Sequence, residues 1–207
     1  MSFLTISLLF AAFLLTRISS LRRAAHVLLA QSAMVAFACL VIGLESESVH
    51  SYVAAFLAVV IKVGLIPFAI IRIVNRLKNE RESRPILSPN QTSLAAALLL
   101  ALSYGIVDRA LPGVSRELLS GALGLILIGI LLMITRRQAI MQIVGLATME
   151  NGIYLLGLSL TKGFPLVIEM GVFLDILIAV IILVILTGRL KLSFQTTDTT
   201  VLRKLRG

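Results

Sequence analysis

Apolar residues run along this chain in blocks of about twenty, separated by short charged breaks and without the period-two alternation of a barrel strand. A helix of that length covers roughly 30 Å of hydrocarbon, so the pattern predicts an all-α integral membrane protein with seven transmembrane helices. The spans are expected at 3–16, 24–44, 52–74, 93–108, 117–135, 138–160 and 165–188. The first is short, has no basic residue ahead of it and lacks a well-placed small-residue cleavage site, which predicts a retained span rather than a signal peptide.

Composition agrees with this class: 58% of the 207 residues are hydrophobic and only 14% are charged, outside the range of soluble domains. The 19 basic and 10 acidic residues leave a net charge of +9, and their positions explain the excess. Fifteen Lys and Arg residues fall at one set of helix ends, among them Arg17, Arg22, Arg23, Arg76, Arg136, Arg137, Arg189 and Lys204. The opposite ends carry Arg109, Arg116 and Lys162, and the outer loop after the second span carries Glu45 and Glu47. Basic residues collect on the cytoplasmic side, which predicts an external N-terminus and a cytoplasmic C-terminus. The positive charge then serves as an anchor against anionic lipid and calls for no nucleic acid.

The 75–92 loop, NRLKNERESRPILSPNQT, is the natural division of the chain. It separates an N-terminal three-helix unit (1–74) from a linking helix and outer loop (93–116), a second three-helix unit (117–190) and a basic cytoplasmic tail (191–207). Spans one to three and five to seven then have the same sense. Shifting by 114 residues brings Arg22-Arg23 onto Arg136-Arg137 and Lys62 to within one position of Asp175. These coincidences raise a parallel three-helix repeat against chance matches among apolar helices.

The remaining basic residue is Lys62, ten positions after Tyr52 and ten before Arg72, so about 15 Å from either anchor. Glu150, between Arg137 and Lys162, and Asp175, between Lys162 and Arg189, have the same depth, while Glu169 sits nearer the outside. A charge at mid-membrane costs about 2.5–3.5 kcal/mol, so such groups face protein or water and are functional candidates by default. Two readings stand: an interhelical salt bridge from Lys62 to Glu150 or Asp175 that holds the bundle together, or a series of titratable groups forming a proton path. Pro67 cannot donate to the Val63 carbonyl and, with Gly64, predicts a loosened third helix beside Lys62. Gln31, Gln142, Asn151 and Tyr154 are the polar residues at membrane depth available to support it. Gly121, Gly124, Gly129, Gly145 and Gly152 read as close-packing positions, and Cys39 as a small buried hydrophobe.

His26 and His50 lie at an edge and in a loop, one cysteine cannot hold a cluster, and no phosphate loop, nucleophile elbow or metal-ligand spacing occurs. No catalytic residue, cofactor or metal is therefore expected in this chain, and redox or hydrolytic chemistry would belong to partners.

The stretch RRQAIMQIVGLATMENGIYLLGLSL from Arg136, followed by FPLVIEMGVFLDILIAVIILVIL, resembles component E of the hydrogenase-4 and formate-hydrogenlyase type of membrane complex. Gln31 and the run AVVIKVGLIPF around Lys62 and Pro67 resemble its N-terminal half, and the last three spans are similar to the small K subunit (chain 4L) of respiratory complex I. Asp175 matches the third-helix glutamate of that subunit. Its second-helix glutamate follows a Gly-Leu pair, whereas Gly145-Leu146 is followed here by Ala147 and the acid comes at Glu150. The resemblance implies a cofactor-free membrane-arm subunit of the prokaryotic inner membrane. It would help to move protons or sodium ions beside antiporter-like subunits, with a peripheral hydrogenase or quinone-oxidoreductase module supplying the electron transfer. The alternative from a different class is a small secondary transporter working alone, with a discontinuous helix at Pro67.

Overall fold

The computed structural model describes residues 2–46, 56, 59–65, 68, 70–71, 74, 85–107, 116–160 and 188. Among these the chain is helical, with no strand: α1 (Ser2–Arg17), α2 (Leu21–Ser46), a π-helical segment (Val59–Leu65), α3 (Pro89–Ile106), α4 (Arg116–Thr135) and α5 (Ala139–Leu160). The five α-helices fall on the segments expected at 3–16, 24–44, 93–108, 117–135 and 138–160, with ends displaced by up to four residues. Two stretches, Arg116–Thr135 and Ala139–Gly157, are long and apolar enough to cross a membrane, and Phe3–Arg17 is a shorter apolar helix. The expected last span, 165–188, lies outside the described residues apart from Gly188.

Helix α3 starts at Pro89, four residues before its apolar run, because its start is written in polar chemistry. Ser88 caps it: the hydroxyl accepts from Gln91 N at 3.3 Å while Gln91 Oε1 accepts from Ser88 N at 3.0 Å, and Pro89 occupies the first turn, where a missing N–H does no harm.

The hairpin of α4 and α5 forms the central packing unit, with α1 against α4, α2 against α5, and α3 against both α1 and α4. Glycines set how close the hairpin comes. A Cβ on Gly129 would stand 2.5 Å from Met149 N, one on Gly145 2.9 Å from Gly129 O, and one on Gly152 2.8 Å from Ile126 N, so backbone meets backbone. Gly124 lies instead under Leu100 and Gly121 under Thr5, where α3 and α1 cross α4. All five glycines are packing positions, as their residue type suggested.

The end of the bundle where α1 and α4 terminate is laced by polar contacts. Thr16 and Ser93 hydroxyls lie 3.0 Å apart, and Ile86 N donates to the Thr135 carbonyl at 2.9 Å. Arg136, expected among the face charges, is only 2% exposed. Its Nη2 donates to the carbonyls of Leu15 (3.0 Å) and Thr16 (2.7 Å), the open acceptors at the negative end of α1.

The two hairpins also fix a register. Helices α2 and α5 begin at Leu21 and Ala139, 118 residues apart, as α1 and α4 end at Arg17 and Thr135. Arg22 and Arg23 lie inside the first turn of α2, exposed, whereas Arg136 and Arg137 belong to the connection before α5. The 114-residue shift that aligned the arginine pairs therefore leaves the helix ends at the two turns four residues out of register.

Apolar side chains face outward as well as inward, and a set of polar ones is buried among the core. Phe3, Phe10, Phe37, Leu94, Leu98, Leu102 and Ile134 each expose half or more of their surface, while Gln31, Lys62, Thr148, Glu150 and Asn151 are buried.

Candidate functional site

The π-helical segment carries Lys62 at its centre. Winding with i→i+5 bonds is rare and occurs mostly where a helix is interrupted for a purpose. The loosening expected around Lys62 thus takes this form, and Pro67, offered as its cause, lies outside the described residues. The lysine points into the protein, with 1% of its surface exposed.

Helix α5 supplies most of the groups around it. Glu150, Asn151 and Tyr154 fall at i, i+1 and i+4, so all three share one side of the helix. Lys62 Nζ stands 2.5 Å from Glu150 Oε1, donates to Asn151 Oδ1 at 3.2 Å, and lies 5.1 Å from the centroid of the Tyr154 ring. The contact with Glu150 is an ion pair between two buried side chains. The carboxylate, the amide oxygen and the ring face each favour a cation at this point.

A second row of groups lies behind Asn151. Its Nδ2 donates to Gln31 Oε1 at 3.4 Å, and Gln31 Nε2 donates to the backbone carbonyl of Leu8 at 3.2 Å. Thr148 Oγ1 lies 3.3 Å from Gln31 Oε1 and 2.8 Å from the Val144 carbonyl; with one proton to give, the shorter contact holds it. The network joins α1, α2, the π-helical segment and α5. Every side chain in it is at least nine-tenths buried, from Gln31 and Thr148 at 0% exposure to Tyr154 at 7%.

Of the residues singled out from sequence, the structure brings Lys62, Glu150, Asn151, Tyr154 and Gln31 together. Gln142 is elsewhere: it is partly buried near the start of α5 and donates to the Arg136 carbonyl at 3.0 Å. Asp175 and Glu169 lie outside the described residues. Thr148 was missed, although it stands three residues before Asn151 on the same side of α5, a spacing that could have found it. The Leu8 carbonyl has no sequence signal at all. Among the described residues no cluster of His, Cys, Asp and Glu is arranged to hold a metal ion.

The arrangement keeps a basic and an acidic group in contact and away from water, in a shell of neutral hydrogen-bonding groups. Nothing in it is arranged as a nucleophile beside a base.

No family model and no solved structure matches the sequence. Over 204 residues, 96% of this chain and 92% of its counterpart, the sequence is 31% identical to the uncharacterized protein Rv0085 of Mycobacterium tuberculosis. Over 153 residues, 72% of this chain and 71% of its counterparts, it is 29% identical to hydrogenase-4 component E of Escherichia coli K12 and of Shigella flexneri. The chain therefore belongs to one family with the mycobacterial protein Rv0085, distantly homologous to hydrogenase-4 component E.

Proposed function

We propose that this chain is a membrane-arm subunit of a hydrogenase-4-like or complex I-like oxidoreductase, and that its buried ionisable residues help to move protons or sodium ions driven by electron transfer in other subunits. The observation that carries the reading is the Lys62–Glu150 pair, sealed from solvent on a π-helical segment and backed by Asn151. A pair of this kind with no transport role is an expensive form of glue, because hydrophobic side chains of similar volume hold helices as well or better. The distant homology to hydrogenase-4 component E supplies the kind of assembly.

In this reading the chain crosses the prokaryotic inner membrane seven times, with its N-terminus outside. The outward-facing phenylalanines and leucines meet lipid or neighbouring subunits, and the inward polar residues form the path. Asp175 and Glu169 continue that path, and the last three spans take the place of a complex I K subunit. The partners are antiporter-like and other membrane-arm subunits, a peripheral hydrogenase or quinone-oxidoreductase module, and anionic lipid at the basic face. The chain binds no cofactor and catalyses nothing alone.

Proton translocation in vesicles carrying the intact complex, normalised to assembled complex, tests this. Glu150→Gln, Lys62→Met and Asp175→Asn should each abolish translocation while the electron chemistry remains measurable, since none of the replacements can cycle a proton at that position. Full translocation in all three would overturn the proposal.

A further inference from the structure

Gln31 does not touch Lys62, yet the chemistry between them decides which atom Lys62 meets. The far end of the row is the Leu8 carbonyl, which can only accept, so the Gln31 amide must turn its nitrogen toward it, at 3.2 Å. That leaves Gln31 Oε1 facing Asn151, which must answer with Nδ2, at 3.4 Å. Asn151 then has only Oδ1 left for Lys62, at 3.2 Å. The opposite polarity would set oxygen against oxygen at Leu8 and an amide N–H₂ against an ammonium at Lys62. The terminal groups alone dictate both amide orientations.

We infer that Gln31 and Asn151 form a polarised amide brace, anchored on the Leu8 carbonyl, that presents Lys62 with an oxygen only and so holds its ammonium beside Glu150. Gln31 is a positioning residue acting through Asn151. The brace carries no proton itself, because an amide has none to exchange in this pH range; it positions the residue that does. The aligned amide dipoles reinforce one another in a dry setting. This inference rests on Lys62 and Glu150 being a working proton site.

Among the described residues the titratable groups facing Lys62 are Glu150 and Tyr154, both from α5. Helix α2, which also packs against the segment, carries Arg22, Arg23 and His26 exposed in its first two turns, while the Glu45 side chain lies outside the described ones. A change at Gln31 therefore reaches Lys62 through Asn151 and not through a new charge.

The test is the pH profile of proton translocation by the intact complex in vesicles, for wild type, Gln31→Met, Asn151→Leu and the double variant. Gln31→Met frees Asn151 to turn, and Asn151→Leu removes the oxygen outright. Each should displace the limbs of the profile by about tenfold in proton concentration, as the ammonium loses a partner. The double variant should move them no further than Asn151→Leu alone, since Gln31 acts only through Asn151. A lowered amplitude with limbs in place, or additive shifts in the double variant, would overturn the brace. Should Gln31→Met fail to assemble, Asn151→Leu carries the test: an unmoved limb there overturns it equally. Failure of the underlying proton site is distinguishable, because Lys62→Met and Glu150→Gln would then translocate fully.

Discussion

Lys62 Nζ and Glu150 Oε1 stand 2.5 Å apart with 1% and 2% of their side-chain surfaces exposed, and they come from segments 88 positions apart in the chain. Neither residue is tolerable alone at that depth. Each makes the burial of the other possible.

The pair should therefore behave asymmetrically toward single and double replacement. Glu150→Leu takes the carboxylate away from a buried ammonium, and should cost about 3–5 kcal/mol, seen as a lower melting temperature of the detergent-solubilised complex. Adding Lys62→Met should recover most of that stability without recovering translocation. Recovery of both would make the pair a structural clasp and nothing more.

The glycine seam gives a second expectation. Gly129→Ala drives a methyl group against the Met149 backbone, which has no side chain to rotate out of the way. The α4–α5 hairpin must part, at a cost on the order of 1–3 kcal/mol. Gly105, with nothing within 4 Å of its would-be Cβ, is the control: Gly105→Ala should be neutral or slightly stabilising. Equal thermal stability of the two variants would contradict the close approach.

What could be read in advance divides along physical lines. A twenty-residue apolar run has one way to satisfy its backbone in lipid, so α1, α2, α4 and α5 were visible as helices from hydropathy alone. Lys62 and Glu150 were visible as candidates because a charge deep in such a run is costly, and Asn151 and Tyr154 because they share the Glu150 side of a helix. Which acid Lys62 meets was not visible, since that depends on how the segments pack. Arg136 and Arg137 are alike in sequence, and only the proximity of the α1 terminus buries the first. The start of α3 was misplaced because Ser88, Pro89 and Gln91 signal a helix by capping, which a search for apolar runs passes over.

That cap makes a modest and local expectation. Ser88→Ala removes the acceptor for Gln91 N and should destabilise the first turn of α3 by about 1 kcal/mol. Hydrogen exchange is the proper readout, because the loss falls on the amides of the first turn: the Gln91 amide should exchange about five-fold faster while those past Ala96 are unchanged. Uniform protection across α3 would mean that the cap contributes nothing.

Arg136 offers the sharpest separation between a charge that anchors a membrane face and one that joins two helices. Its Nη2 reaches both Leu15 and Thr16, carbonyls that α1 cannot satisfy internally, and its backbone carbonyl takes the amide of Gln142. A bond from a charged donor to a buried acceptor contributes about 1.5–3 kcal/mol, and removing the donor also leaves the carbonyls dry. Arg136→Ala should therefore lower stability by at least that amount. Arg23→Ala, an exposed cation of the same set, should stay within about 0.5 kcal/mol. Arg136→Lys should recover only part of the loss, because an ammonium on a flexible stem does not match the fixed fork of a guanidinium over two adjacent carbonyls. Thermal melting of the three variants in the same detergent decides the matter. Indistinguishable curves for Arg136→Ala and Arg23→Ala would return Arg136 to the ordinary face charges and leave the C-terminal end of α1 to be satisfied in some other way.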